Sequence, residues 1–209
     1  MTVMNLPNKK YDIILADPAW SYRDKGLAGK RGASQKYQVM TLDHIMAMPI
    51  NEIAADNCTL FMWHVPPMPL EALKVVEAWG FKLKTMKGFT WIKLNKLFAK
   101  VVQKHFQIEH EKLMLLDDAA VLALMHELTK MGMGHWTRAN SEDCLIATRG
   151  KPKRISAAVK NTIFAPIGRH SAKPPVVHER IVQLMGDLPR IELFARERSL
   201  GWDAWGNDL

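Results

Sequence analysis

The chain has 209 residues, 48% hydrophobic and 24% charged, which suits one globular domain with a buried core and excludes intrinsic disorder, a collagen-like chain and a disulfide scaffold. Twenty-nine Lys and Arg against 21 Asp and Glu leave a net charge of +8, which favours a polyanionic partner, most simply nucleic acid. On charge alone, a merely basic soluble enzyme stays open.

Two cysteines, Cys58 and Cys144, lie in apolar runs and read as core residues of a protein in a reducing compartment. Met1 to Lys10 lacks the apolar stretch of a signal peptide, and no run is long enough to span a membrane. No Cys/His cluster has zinc spacing. A cytoplasmic protein with no metal and no membrane partner is expected.

In chain order, Tyr11 to Ala16 is a short apolar run that stops at Asp17-Pro18, as a buried parallel strand does, because proline cannot continue the ladder. Residues 21–38 read as a Gly-, Lys- and Ser-rich loop. Thr41 opens a short helix that stops near Pro49. Cys58 to Val65 is a second strand, and Pro66, Pro67 and Pro69 start a helix closed by Gly80. Phe89 to Leu94, Glu142 to Thr148 and Asn161 to Ala165 are further strands. Pro174 to Met185 is a helix closed by Gly186, and Pro189 to Arg196 is a sixth strand. Strands alternating with helices predict an α/β, doubly wound, mostly parallel sheet in a single domain over 1–209. Residues 95–133 break this rhythm. Leu113, Leu116, Ala120, Leu124, Leu128 and Met131 fall at helical spacing, so the segment reads as a helical insertion or an unusually long crossover.

Ligands bind beyond the carboxyl ends of strands in such sheets, and Asp17-Pro18-Ala19-Trp20 lies at one of those ends. An Asp-Pro turn beside a packed Trp is one reading. The other is chemical. An exocyclic amine on a base is a poor nucleophile, because its lone pair is delocalised into the ring. Two acceptors, an Asp17 carboxylate oxygen and the Pro18 carbonyl, could take its two N–H bonds and draw the nitrogen toward tetrahedral geometry. Trp20 would offer a face for an extruded base, worth about 1–3 kcal/mol.

Here the sequence resembles a known family. Asp-Pro-Pro-Trp at a strand end marks the S-adenosylmethionine-dependent adenine N6 methyltransferases of the messenger-RNA adenine-writer type, which has many bacterial and phage members. Leu60-Phe61-Met62-Trp63, Trp79-Gly80-Phe81, Trp91-Ile92-Lys93, Ser141-Glu142-Asp143-Cys144-Leu145, Arg149-Gly150-Lys151-Pro152, His170-Ser171-Ala172-Lys173-Pro174, Ile191-Glu192-Leu193-Phe194-Ala195-Arg196 and Gly201-Trp202-Asp203-Ala204-Trp205-Gly206-Asn207 extend the likeness over nearly all the chain except 95–133. The resemblance implies a Rossmann-like fold with permuted motif order, S-adenosylmethionine as methyl donor and no metal. It implies that Asp17, Pro18, Ala19 and Trp20 form the catalytic turn and that Lys173, Glu192, Phe194, Arg196 and Asn207 serve the cofactor. Tyr37, Trp63, Trp91 and Glu142 would face the base. The motif departs from the family's at Ala19, where the second proline is missing. Ala19 adds an N–H and lifts the restriction that a following proline places on Pro18.

The expected function is methyl transfer to adenine N6 in nucleic acid, DNA favoured over RNA because the chain is compact like the bacterial and phage members. A catalytically silent nucleic-acid-binding or partner subunit is the alternative, and the apolar insertion makes a homodimer plausible. Basic clusters at Lys25, Lys30 and Arg31, at Lys82, Lys84 and Lys87, at Lys93, Lys96, Lys100 and Lys104, and at Arg149, Lys151, Lys153 and Arg154 could contact phosphates or simply be solvated. His170 reads as orienting a loop, and Gly132 and Gly134 have no strand-to-helix setting for a dinucleotide fingerprint.

Overall fold

A computed structural model describes residues 6–21, 40–108, 117–132, 136–169, 172–207 and 209. In chain order the elements are β1 (Tyr11–Ala16), α1 (Leu42–Met46), α2 (Ile50–Ile53), β2 (Ala54–His64), α3 (Pro69–Ala78), β3 (Lys82–Leu94), α4 (Phe98–Ile108), α5 (Asp118–Leu128), β4 (Ser141–Arg149), β5 (Thr162–Pro166), α6 (Val176–Met185), β6 (Arg190–Leu193) and β7 (Asp203–Trp205). The strands are hydrogen-bonded in the order β5-β3-β4-β2-β1-β6-β7. β1 runs parallel to β2 and β6, β6 parallel to β7, and β3 parallel to β5, whereas β4 is antiparallel to β2. The chain therefore has a mixed α/β, mostly parallel, Rossmann-like architecture.

Two compact units divide the chain: Met1–Phe89 with Asp143–Asn161 and His178–Leu209, and Thr90–Glu142 with Thr162–Val177. In the first unit, β1 is buried almost throughout because both faces are covered. Ile14 and Ala16 join Leu60, Met62, Ile191 and Leu193 in a core that α1 and α3 close with Ile45, Ala72, Val75, Val76 and Trp79. Thr41 caps α1 by accepting the His44 N–H, Pro69 occupies the first turn of α3, and Gly80 (φ +80°) ends the turn beyond α3. The Trp79 indole donates to the Ile45 carbonyl at 2.8 Å, which joins α3 to α1. Glu192 alternates with Ile191 and Leu193, so it faces the other side of the sheet, where it meets His178 of α6. Helices on both faces make the sheet doubly wound.

Tyr11 and Lys9 both donate to Oδ2 of Asp203, at 2.8 and 2.7 Å, and tie the start of β1 to the start of the edge strand β7. Burial, together with Asp203, pushes the Tyr11 phenol above its usual range. Cys58 and Cys144 are buried free thiols; burial, aided by the Asp12 charge, pushes Cys58 up to about 12.

In the second unit, β3 from Thr90 onward pairs with β5, Thr90 against Thr162 through Leu94 against Pro166. Two helices are described within 95–133, α4 and α5. α4 begins at Phe98, before the pattern starts, and α5 begins at Asp118, where Asp117 accepts the Ala120 N–H at 2.8 Å as an N-cap. Leu113 and Leu116 lie outside the described residues. α5 buries none of its residues; Leu124 and Leu128 of the predicted stripe are half-buried, and Val121, Leu122 and Met125 are exposed. No helix among the described residues is long and apolar enough to cross a membrane.

Candidate functional site

The parallel registers of the first unit put several strand ends on one edge. Ala16 of β1 is opposite both Met62 of β2 and Leu193 of β6, and Leu193 is opposite Trp205 of β7. Asp17, Phe194 and Gly206, which follow on β1, β6 and β7, therefore leave the sheet side by side, while β2 continues next to them through Trp63 and His64. The Asp17 N–H still reaches the Leu193 carbonyl at 3.4 Å. Asp17 to Trp20 and Phe194 to Asn207, far apart in sequence, lie at adjacent strand tips in the same unit.

Beyond β1 the chain makes a tight turn centred on Ala19. The Trp20 N–H donates to the Pro18 carbonyl at 2.8 Å, and the Ala19 carbonyl accepts the Met40 N–H at 2.9 Å. Asp17 and Ala19 are half-buried and Pro18 is buried. The Pro18 oxygen has one lone pair engaged by Trp20 and keeps a second for another donor. The Trp20 indole is only 4% exposed and donates from Nε1 to the Trp63 carbonyl at 3.1 Å. An extruded base reaches its face only after neighbouring side chains move. Trp63 is buried as well, and Tyr37 lies outside the described residues.

At the tip of β6 the chain turns through Phe194 with φ +62°, the one non-glycine residue with positive φ among the described residues. This strained conformation is held because Phe194 packs edge-on against Trp205 (ring centroids 5.7 Å apart) and Ala195 donates to the Trp205 carbonyl at 3.0 Å. Gly206 passes so close to the turn that an added Cβ would lie 2.1 Å from the Ala195 carbonyl oxygen and 2.8 Å from its nitrogen. Only glycine fits there. Gly206→Ala is expected to cost at least about 1–3 kcal/mol through backbone displacement. Thermal unfolding checks this. Arg196 is half-buried and Asn207 exposed just past the two tips.

Glu192 precedes the tip and accepts or shares a proton with Nε2 of His178 through Oε2 at 2.8 Å. The His178 ring stands edge-on to Trp202, with centroids 4.9 Å apart. Sequence reading missed His178. The available signal was the Ile191-Glu192-Leu193 alternation, which turns the acid toward a helix rather than toward the α1/α3 core.

The second unit contains the remaining predicted residues. Glu142 takes two lysines, Nζ of Lys93 at 2.5 Å on Oε1 and Nζ of Lys173 at 3.2 Å on Oε2. Burial opposes ionisation of Glu142, but Lys173 and Lys93 outweigh it and hold the carboxyl below its ordinary value of 4.5. A depressed folded-state pKa adds stability above the unfolded value, and that stability is lost as pH falls through the folded one. Urea unfolding midpoints should therefore decline on acidification below about pH 4.5, with a shallower decline in Glu142→Gln. Lys93, read from sequence only as part of a basic cluster, is thus the counter-ion of a predicted site residue. It also lies over the Trp91 ring, 5.3 Å from the centroid. Trp91 is 4% exposed and donates to the Ala165 carbonyl at 2.9 Å. Among the described residues no group of three or more His, Cys, Asp or Glu is placed to hold a metal ion.

A doubly wound sheet with an acidic turn at one parallel strand tip and a strained turn at the next is a Rossmann-like α/β architecture with its candidate site at the carboxyl ends of the strands. The chain matches the MT-A70 family model over residues 11–119 and 120–208; it belongs to that family and is an adenine methyltransferase. It is similar to the type II methyltransferase M.MunI of Mycoplasma sp, 29% identical across 98% of this chain and 80% of the relative. It is also similar to the N(6)-adenine-specific methyltransferase METTL4 of Homo sapiens, 24% identical across 96% of this chain but only 38% of the longer human protein. The non-catalytic subunit MTB of an N6-adenosine-methyltransferase in Arabidopsis thaliana is 29% identical over 46% of this chain.

Proposed function

We propose that the protein transfers a methyl group from S-adenosylmethionine to the exocyclic N6 amine of adenine in nucleic acid, DNA being the favoured polymer. The supporting observation is the pairing of Ala16 with Leu193, which sets the Asp17 turn beside the Phe194 turn on one sheet edge. The name of the human relative, an N(6)-adenine-specific methyltransferase, agrees with adenine N6 chemistry.

The residues present fit the donor. A cramped turn that only Gly206 satisfies lies by the aromatic side chain of Phe194, and Arg196 and Asn207 follow at the tips. Phe194 would cover an apolar surface of the cofactor; Arg196 would pair with its carboxylate or bond its ribose, Asn207 would offer donor and acceptor, and Glu192, steadied by His178, would accept from a hydroxyl. When bound, S-adenosylmethionine supplies a methyl group on a cationic sulfur. Asp17 accepts one N–H of the target amine and the Pro18 carbonyl accepts the other. This returns lone-pair density to nitrogen and aims it at the methyl carbon. With the donor bound, that nitrogen would take the methyl group as the methyl–sulfur bond breaks to leave S-adenosylhomocysteine, and the surplus amine proton would pass to Asp17 or water. The turn is built before substrate arrives, so little reorganisation is needed. Trp20 fixes the turn to β2 through the Trp63 carbonyl and would wall the base pocket.

Incubating the protein and isotope-labelled S-adenosylmethionine with DNA and with RNA, followed by nucleoside mass spectrometry, tests this. Label in N6-methyladenine from DNA is the expected result, and label in neither polymer would defeat the proposal. Ala19 in the catalytic motif favours one competing reading, a silent partner subunit. Calorimetry separates the two, because a silent subunit without a donor site takes up no S-adenosylmethionine at high micromolar concentration.

A further inference from the structure

The basic run after β4 is not used by the chemistry above, yet the fold holds it firmly. Gly150 (φ +64°) presses so close to β2 that a Cβ would lie 2.1 Å from the Asp56 carbonyl oxygen, and the Lys151 N–H donates to Oδ1 of Asn57 at 2.7 Å. Farther on, the Ile155 N–H donates to the Leu184 carbonyl at 2.8 Å, and Arg180 of α6 donates to the Lys160 carbonyl at 2.6 Å. Residues 150–160 therefore form a strap pinned to β2 at one end and laid along α6 at the other. It is irregular and largely exposed, including Ile155 at 72%, so core burial does not account for it.

From Arg149 to Lys160 the sequence contains five cations and no carboxylate. Lys151, Lys153, Arg154 and Lys160 have no ion-pair partner among the described residues. Between strap and helix runs an open groove of about 600 Å³ lined by Ser156, Ala158, Val159, Lys160, Arg180 and Gln183. Its lining carries cations, a hydroxyl and an amide but no aromatic ring, so it can hold a sugar-phosphate chain and has nothing on which a base would stack. A smaller cavity of about 300 Å³ at Lys151 and Lys153 includes Asp12, whose carboxylate disfavours an anion there. Glu179, one helical turn before Gln183, is exposed near the groove and would repel phosphate.

The geometry points to the strap and α6 as a track for the phosphodiester backbone of the nucleic-acid substrate, on the sheet face away from α1 and α3. This inference rests on the nucleic-acid reading given above. The track grips backbone without reading sequence, while the Asp17 edge acts on the base.

The test is fluorescence anisotropy of a labelled duplex of about 20 base pairs across a salt series, with the full chain. Each phosphate contact contributes about 0.9 to the slope of log affinity against log salt, so Arg154→Gln with Lys160→Gln should reduce that slope by about 2. Glu179→Gln should tighten binding. A control with the same charge change, Lys10→Gln with Lys74→Gln just before β1 and on α3, should leave the slope unchanged. Calorimetric S-adenosylmethionine binding and the unfolding midpoint should match wild type in all variants. An unaltered slope in the strap variant, or an equal fall in the control, overturns the track and leaves the methyltransferase reading intact. Wild-type protein that binds no nucleic acid defeats both.

Discussion

Asp17→Asn should lower turnover on adenine by about 10²–10³-fold, the usual cost of losing one preorganised electrostatic group, while S-adenosylmethionine affinity changes little. The change is nearly isosteric. The new side-chain amide keeps one acceptor oxygen but loses the negative charge, and its nitrogen places two donors where the target amine also presents donors. The turn should survive, because the Trp20-to-Pro18 and Met40-to-Ala19 hydrogen bonds come from main chain. Steady-state methylation with calorimetry checks this. A folded variant that methylates at the wild-type rate would show that some other group accepts from the amine.

Trp20→Ala combines a catalytic and a structural loss. The indole is almost wholly buried in the core cluster and bonded to the Trp63 carbonyl. Emptying that volume should cost about 3–5 kcal/mol. For a chain of this size, each kcal/mol corresponds to about 2–4 °C in Tm. Turnover should fall further than cofactor affinity, because the Asp17 turn then loses its anchor on β2 and the base pocket loses a wall. Trp20→Phe keeps an aromatic wall but has no N–H for the Trp63 carbonyl, so it should land between wild type and Trp20→Ala in both stability and turnover. Equal losses of turnover and cofactor affinity in Trp20→Ala would count against a role at the base.

Much of the architecture was legible in the chain because its signals are local. The β1 run closes at Asp17-Pro18, Thr41 caps a helix, and Gly80 and Gly186 follow helices whose apolar spacing is plain. Boundaries moved where burial does not change at the element's end. β2 starts at Ala54 rather than Cys58, because exposed Asp56 and Asn57 interrupt its apolar run, and β3 starts at Lys82 rather than Phe89, because its first residues are exposed; a strand continues while its hydrogen bonds do. β7 was not anticipated, since three residues carry no readable period. Periodicity does not encode direction either, so the antiparallel course of β4 against β2 was invisible.

By itself, the sequence determined the chemical inventory: an acid, a rigid carbonyl and an indole at a strand end, cofactor-type signatures near the chain's end, and surplus positive charge. Tertiary structure alone decided which of these meet. Parallel pairing of β1 with β6 brings Asp17 beside Phe194 across more than 170 residues, because strand registry is set by packing against shared helices rather than by neighbours in sequence. It also decided that Trp20, Trp63 and Trp91 are buried and that Glu192 answers to His178 and Glu142 to two lysines. Side-chain type fixes what a group can donate or accept, whereas its partner and its access to solvent depend on residues that only folding brings near.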